Sequence, residues 1–189
     1  VDWVALSFVQ QPEDLHEARQ IIAGRAGLMT KLEKPSALDH LDEIVQLSDS
    51  VMVARGDLGV ELPPERVPGI QKRILRACRQ YGKPSIIATQ MLESMIHSPT
   101  PTRAEASDVA SAIYDGADAV MLSGETSVGE YPIEAVRTMA RIIENTEEHG
   151  RERMAPLGWS PQTRGGSITR AAAEVGETLG VKYLVTFTQ

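Results

Sequence analysis

The chain has 189 residues, 42% hydrophobic and 24% charged, with a net charge of -7, a composition ordinary for a globular chain with room for a core. Its acidic balance excludes general nucleic-acid binding, which needs a basic face. No apolar run approaches the ~20 residues that span a bilayer and no charged-then-apolar leader opens the chain, so no membrane partner and a cytoplasmic address are expected.

In chain order, short apolar runs alternate with helical patterns. Strands are predicted at Asp2–Phe8, Leu28–Glu33, Val51–Arg55, Ser85–Thr89 and Ala119–Ser123, all rich in the Val, Ile, Leu and Met of buried parallel strands. Apolar residues at helical spacing predict helices over 12–24, 36–47, 66–81, 101–115 and 132–148. Gln11-Pro12-Glu13-Asp14 and Tyr131-Pro132-Ile133-Glu134 place proline and acids in a first helical turn. Gly24, Gly82 and Gly116 stand where helices should stop.

Five β/α units joined by right-handed crossovers give parallel strands. An open doubly wound sheet would carry a phosphate-binding glycine loop after its first strand, and Val9-Gln10-Gln11-Pro12 stands there instead. Five units do not close an eight-stranded barrel. The fit is an α/β partial barrel over residues 1–150, with unpaired edges near Asp2 and Ala119 that favour self-association. Residues 151–166 have linker composition, and 167–189 offer one helix (Ile168–Gly180) and one strand (Val181–Phe187), the start of an α/β C-terminal domain.

The single cysteine, Cys78, lies on an apolar helical stripe with Ile70, Ile74 and Ala77, the setting of a buried structural residue and not of an activated nucleophile. His16, His40, His97 and His149 lack metal-ligand spacing and are expected to face solvent. Arg103 and Glu105, at the start of the 101–115 helix, read as ordinary surface residues.

The chemistry gathers where apolar runs end. In parallel α/β proteins the strand C-termini form one rim, and ligands bind there. Lys31 and Glu33 are two residues apart on one strand, so they share a face. Asp57 follows Arg55-Gly56 at the end of another strand. Two carboxylates there suit a hard divalent cation, with an ammonium to neutralise further charge. Gly56 lets the backbone approach a ligand closely, and a helical turn over Gly56–Gly59 would present free N–H groups to an anion. Thr89 and the Ser123-Gly124-Glu125 run end two further strands with polar groups. The bland alternatives are a solvated Lys/Glu pair and a turn or N-cap aspartate.

Five strings carry a resemblance: Thr-Lys-Leu-Glu at 30–33, Met-Val-Ala-Arg-Gly-Asp-Leu-Gly-Val-Glu at 52–61, Ala-Thr-Gln-Met-Leu-Glu-Ser-Met at 88–95, Pro-Thr-Arg-Ala-Glu at 101–105 and Met-Leu-Ser-Gly-Glu-Thr at 121–126. In that order they resemble pyruvate kinase. The resemblance implies strands four to eight of a TIM (β/α)8 barrel and phosphoryl transfer from phosphoenolpyruvate to ADP. It implies Glu33 and Asp57 as ligands of Mg2+ (or Mn2+), and Lys31 as the group stabilising the phosphoryl in flight. Gly56, Asp57 and Thr89 would hold the substrate carboxylate, and Ser123 and Glu125 would stand near a proton relay. It further implies K+, whose usual ligands lie outside this segment, and a homotetramer for the full protein. Gln10 replaces a common arginine, and Leu32 a common isoleucine. A segment lacking the remaining strands, the lid and most of the C-terminal domain is expected to be inactive alone. The rival readings are a magnesium-dependent lyase or aldolase acting on pyruvate enolates, and a non-catalytic assembly fragment.

Overall fold

The computed structural model describes residues 1–150 and 164–185. The chain divides into two compact units, Val1–Ala155 and Pro156–Gln189.

The first unit is a five-stranded parallel sheet: β1 (Trp3–Leu6), β2 (Gly27–Leu32), β3 (Ser50–Ala54), β4 (Ser85–Ala88) and β5 (Ala119–Met121). The strands lie in sequence order with no reversal. A doubly wound sheet needs a reversal to put helices on both faces. A single winding with crossovers of one hand keeps every helix on the same face, which is the arrangement of a barrel. The partial-barrel expectation is met, and the two unpaired edges fall at β1 and β5 as expected.

The helices are α1 (Pro12–Ile22), α2 (Leu41–Leu47), α3 (Arg55–Glu61), α4 (Val67–Tyr81), α5 (Arg103–Tyr114), α6 (Gly124–Ser127) and α7 (Pro132–Gly150). In β2, Leu28, Thr30 and Leu32 are buried while Gly27, Met29 and Lys31 are half-buried, the period of two that puts alternate residues on opposite faces. The buried set meets Leu15 of α1, Ile44 and Val45 of α2 and Ile74 and Leu75 of α4 in one core. β3, central in the sheet, is buried along its whole length.

Three differences from the sequence-based expectations have local causes. The helix expected over 36–47 is a 3-10 segment, Pro35–His40, followed by α2. His40, at φ -114 and ψ 23, leaves the helical region and breaks the run. The first helix stops at Ile22, because Ala23 itself adopts the left-handed cap one residue before Gly24. The helical turn considered over Gly56–Gly59 is the longer α3, which begins at Arg55, and a short helix, α6, follows β5 where only a strand end was anticipated. By contrast α4 ends as expected, on Gly82 at φ +62 with its N–H reaching back to Arg79 and Cys78.

The second unit contains α8 (Arg164–Thr178), so residues 164–166, assigned to the linker from composition, are helical; the remainder of that linker, 151–163, lies outside the described residues. Gly180 caps the helix end, with Val181 N–H donating to Gly176 O at 3.0 Å. The strand expected from Val181 is not formed over 181–185, and 186–187 lie outside the described residues. A strand exists through its ladder, and no other strand is found among the described residues of this unit.

Each sheet edge is a row of unpaired backbone groups, a template for another chain. We expect the isolated polypeptide to sediment as a self-associated species; a monodisperse monomer would show that neither edge pairs.

Candidate active site

Parallel pairing aligns the strand C-termini on one rim. Leu6 pairs with Thr30 and Leu32 with Val53, so the residues just beyond β1, β2 and β3 are neighbours. Glu33 lies one residue past β2, and Asp57 three past β3 in the first turn of α3.

Glu33 is almost fully enclosed, 1% exposed. A carboxylate so buried needs a partner for each oxygen. Its Oε1 is 2.6 Å from Lys31 Nζ, and its Oε2 accepts the Phe8 N–H at 2.8 Å. Lys31 also donates to Ser7 Oγ at 2.8 Å. The same-face expectation for Lys31 and Glu33 is therefore met, and the pair joins a buried carboxylate to a half-buried ammonium. Phe8 takes a left-handed φ of +58, uncommon away from glycine, which delivers its N–H to Glu33. Ser7 and Phe8 were missed in the sequence. The available signal was their position at the end of β1, on the rim that β2 and β3 already marked.

Asp57 is exposed, in contrast to Glu33. Beside it Gly56 N–H donates to Thr89 Oγ1 at 2.8 Å, and Thr89 donates to Ala88 O at 2.6 Å. A Cβ on Gly56 would stand 3.2 Å from Thr89 Oγ1, so only glycine leaves that hydroxyl uncrowded. Gly56 N–H thus meets the Thr89 hydroxyl as donor to acceptor at the ends of β3 and β4, and the hydroxyl proton is turned back to Ala88 O.

Ser123 and Glu125 take a different position. Glu125 is 1% exposed, and its oxygens accept Leu92 N–H at 3.0 Å and Ser123 N–H at 2.7 Å. The carboxylate ties the loop after β4 to the end of β5, and both of its oxygens are engaged by backbone.

Glu105, expected at the surface, is half-buried. It accepts Ser94 N–H and Oγ at 2.7 and 2.5 Å and closes a capping box with Thr102. Partial burial pushes its carboxyl up, but the hydrogen bonds from Ser94 and Thr102 outweigh this and hold it below the usual carboxylate range. The four histidines are exposed as expected. Cys78 is fully buried, with its thiol pushed up to about 12 by burial and by the Asp118 charge. A thiol so far above neutrality is no nucleophile.

A magnesium-type ion takes one or two protein carboxylates and completes its shell with water and substrate oxygens; Glu33 and Asp57 are donors of that chemical kind, with both Glu33 oxygens engaged by Lys31 and Phe8. Among the described residues no group of three or more His, Cys, Asp or Glu is placed to hold a metal by itself. An ion here would depend on substrate oxygens for the balance of its ligands.

Comparison with known proteins agrees on one family. The model of the pyruvate kinase barrel domain matches residues 1–136. The chain is 62% identical to a pyruvate kinase of Agrobacterium vitis and 57% identical to one of Mycobacterium tuberculosis, in each case over 100% of this chain and 40% of the relative. A crystal structure of a pyruvate kinase from Cryptosporidium parvum superposes with a TM-score of 0.86 at 39% identity, over 96% of this chain and 40% of that one. The chain thus spans about two fifths of the length of the curated relatives it matches.

Two outcomes are expected. Because the folded Glu105 carboxyl titrates below its unfolded value, its stabilisation is complete above about pH 4.5 and is lost as pH falls through the folded value. The stability gap between wild type and Glu105→Gln, from denaturant titrations, should therefore shrink on acidification; a gap constant with pH would refute this. Alkylating reagents at pH 8 should modify Cys78 only after unfolding, which mass spectrometry with and without denaturant reads directly.

Proposed function

We propose, on the premise that this chain belongs to the pyruvate kinase family, that it forms part of the catalytic barrel of an enzyme moving the phosphoryl group of phosphoenolpyruvate to ADP. The observation that carries this reading is the pair of half-buried Lys31 and buried Glu33, 2.6 Å apart, on a rim it shares with Asp57 and the Gly56–Thr89 contact. Phosphoryl transfer needs positioning and charge neutralisation more than covalent chemistry, and these groups supply both.

In this reading Glu33 and Asp57 hold the divalent cation, Mg2+ or Mn2+. When bound, the ion supplies neutralisation of phosphate charge and orientation of the substrate. Lys31 exchanges part of its contact with Glu33 for the phosphoryl oxygens, its ammonium following the charge as it moves. The N–H groups of Gly56 and Asp57 and the Thr89 hydroxyl receive the substrate carboxylate between the ends of β3 and β4. Ser123 is the member of the relay pair able to pass a proton toward the enolate carbon. Glu125, with both oxygens accepting backbone N–H groups, fixes the Ser123 backbone. Potassium acts through ligands outside this segment. Residues 167–189 begin a C-terminal domain, and the full protein works in the cytoplasm as a homotetramer. Among the described residues no helix is long and apolar enough to cross a membrane.

The test is a coupled assay with phosphoenolpyruvate, ADP, magnesium and potassium. The full-length protein carrying this chain should turn over, and the isolated segment should not. Glu33→Gln and Lys31→Met in the full-length protein should each lower kcat by about 10²–10³-fold, the usual loss when one charge aimed at a transition state is removed. Calorimetric titration with Mg2+ should lose its heat in Glu33→Gln and Asp57→Asn. Equal heats in all three proteins would remove the two carboxylates from metal binding, and full-rate turnover by the segment alone would overturn its expected inactivity.

A further inference from the structure

Arg55 immediately precedes the Gly56 amide and is 9% exposed. A buried guanidinium has five N–H donors to satisfy, and Arg55 divides them between α5 and the turn after β4. Its Nη1 lies 2.6 Å from Asp108 Oδ2 of α5. Its Nη2 donates to Thr89 O and Gln90 O at 3.0 Å each and lies 2.8 Å from Met91 Sδ. Its Nε reaches Thr89 O at 3.3 Å. One planar fork grips three consecutive residues at the end of β4.

Those residues need gripping. Thr89 and Gln90 have φ of +68 and +54, and non-glycine residues persist in that region only where their surroundings over-determine it. Two successive left-handed residues turn the chain so that the Thr89 hydroxyl faces the Gly56 amide. Released from the fork, the turn relaxes toward ordinary dihedrals and the hydroxyl leaves Gly56. Asp108 neutralises the guanidinium and fixes its plane, linking α5 to the rim. A lysine ammonium, a point charge with three donors, cannot span a carboxylate and two carbonyls in one plane.

We propose that Arg55 is a positioning residue for the substrate-carboxylate seat, acting through Thr89 without touching substrate, and that Asp108 holds Arg55 in place. The proposal rests on the kinase reading above, and the experiment keeps the two separable. In the full-length protein carrying this chain, Arg55→Lys should raise KM for phosphoenolpyruvate about tenfold, the worth of one charge-assisted hydrogen bond, and leave KM for ADP unchanged. Asp108→Asn should shift the same constant in the same direction by less. Amide hydrogen exchange at Gly56 and over residues 89–92 should accelerate in both variants, with the β2 amides unaffected. Equal shifts of both substrates' KM, or an unchanged KM for phosphoenolpyruvate, overturns the proposal. If wild type fails to use phosphoenolpyruvate, the functional reading falls by itself and exchange alone decides: an unaltered Gly56 amide sinks the strap, and an accelerated one upholds it. Should Arg55→Lys not fold, Asp108→Asn carries both measurements.

Discussion

A carboxylate that is 1% exposed costs on the order of several kcal/mol in an apolar interior unless both oxygens find donors. Glu33 meets that demand with Lys31 from its own strand and the Phe8 N–H from the neighbouring one. The demand spreads outward. Phe8 must adopt a left-handed backbone to present its N–H, and Ser7 is brought to the far side of the ammonium. Three residues, Ser7 and Phe8 just past β1 and Lys31 on β2, are thereby fixed around one acid, and the pairing of β1 with β2 places them there.

The other half of the rim is organised by the same physics with different charges. The segment after β4 is tied down by Glu125 at Leu92, by Glu105 at Ser94, and by Arg55 at Thr89 and Gln90. These side chains come from α6, α5 and the start of α3. Buried or half-buried charge here satisfies backbone groups that no helix or strand pairs. Irregular backbone close to a core needs such partners, so the loop is held firmly although it has little regular structure.

How much of this was legible depended on the kind of signal. The five strands could be read because parallel strands are apolar runs, and the polar rim at their ends because each run ended on a polar group. The Lys31–Glu33 pairing followed from strand parity alone. What escaped were roles set by distant partners. Glu105 looks like a surface residue from its neighbours, and only the return of Ser94 to its side encloses it. Ser7 and Phe8 carry no motif by themselves. Arg55 was legible only as a flank of Gly56, because its partners lie 34 to 53 residues away. The 3-10 segment at Pro35–His40 escaped because its departure from a helix is a backbone matter at His40, with no compositional mark. The strand expected at Val181 shows the converse: an apolar run is a strand only if something pairs with it.

The unreversed strand order has a consequence for how the molecule comes into being. Each strand pairs only with those before and after it along the chain. During synthesis, every β/α unit leaving the ribosome can therefore dock onto the one already there, without waiting for distant sequence. Such nearest-neighbour growth avoids the long loop closures that slow folding. It also means that the nascent sheet always carries two open strands, β1 and the newest, and the newest stays vulnerable to a wrong partner until the next unit arrives.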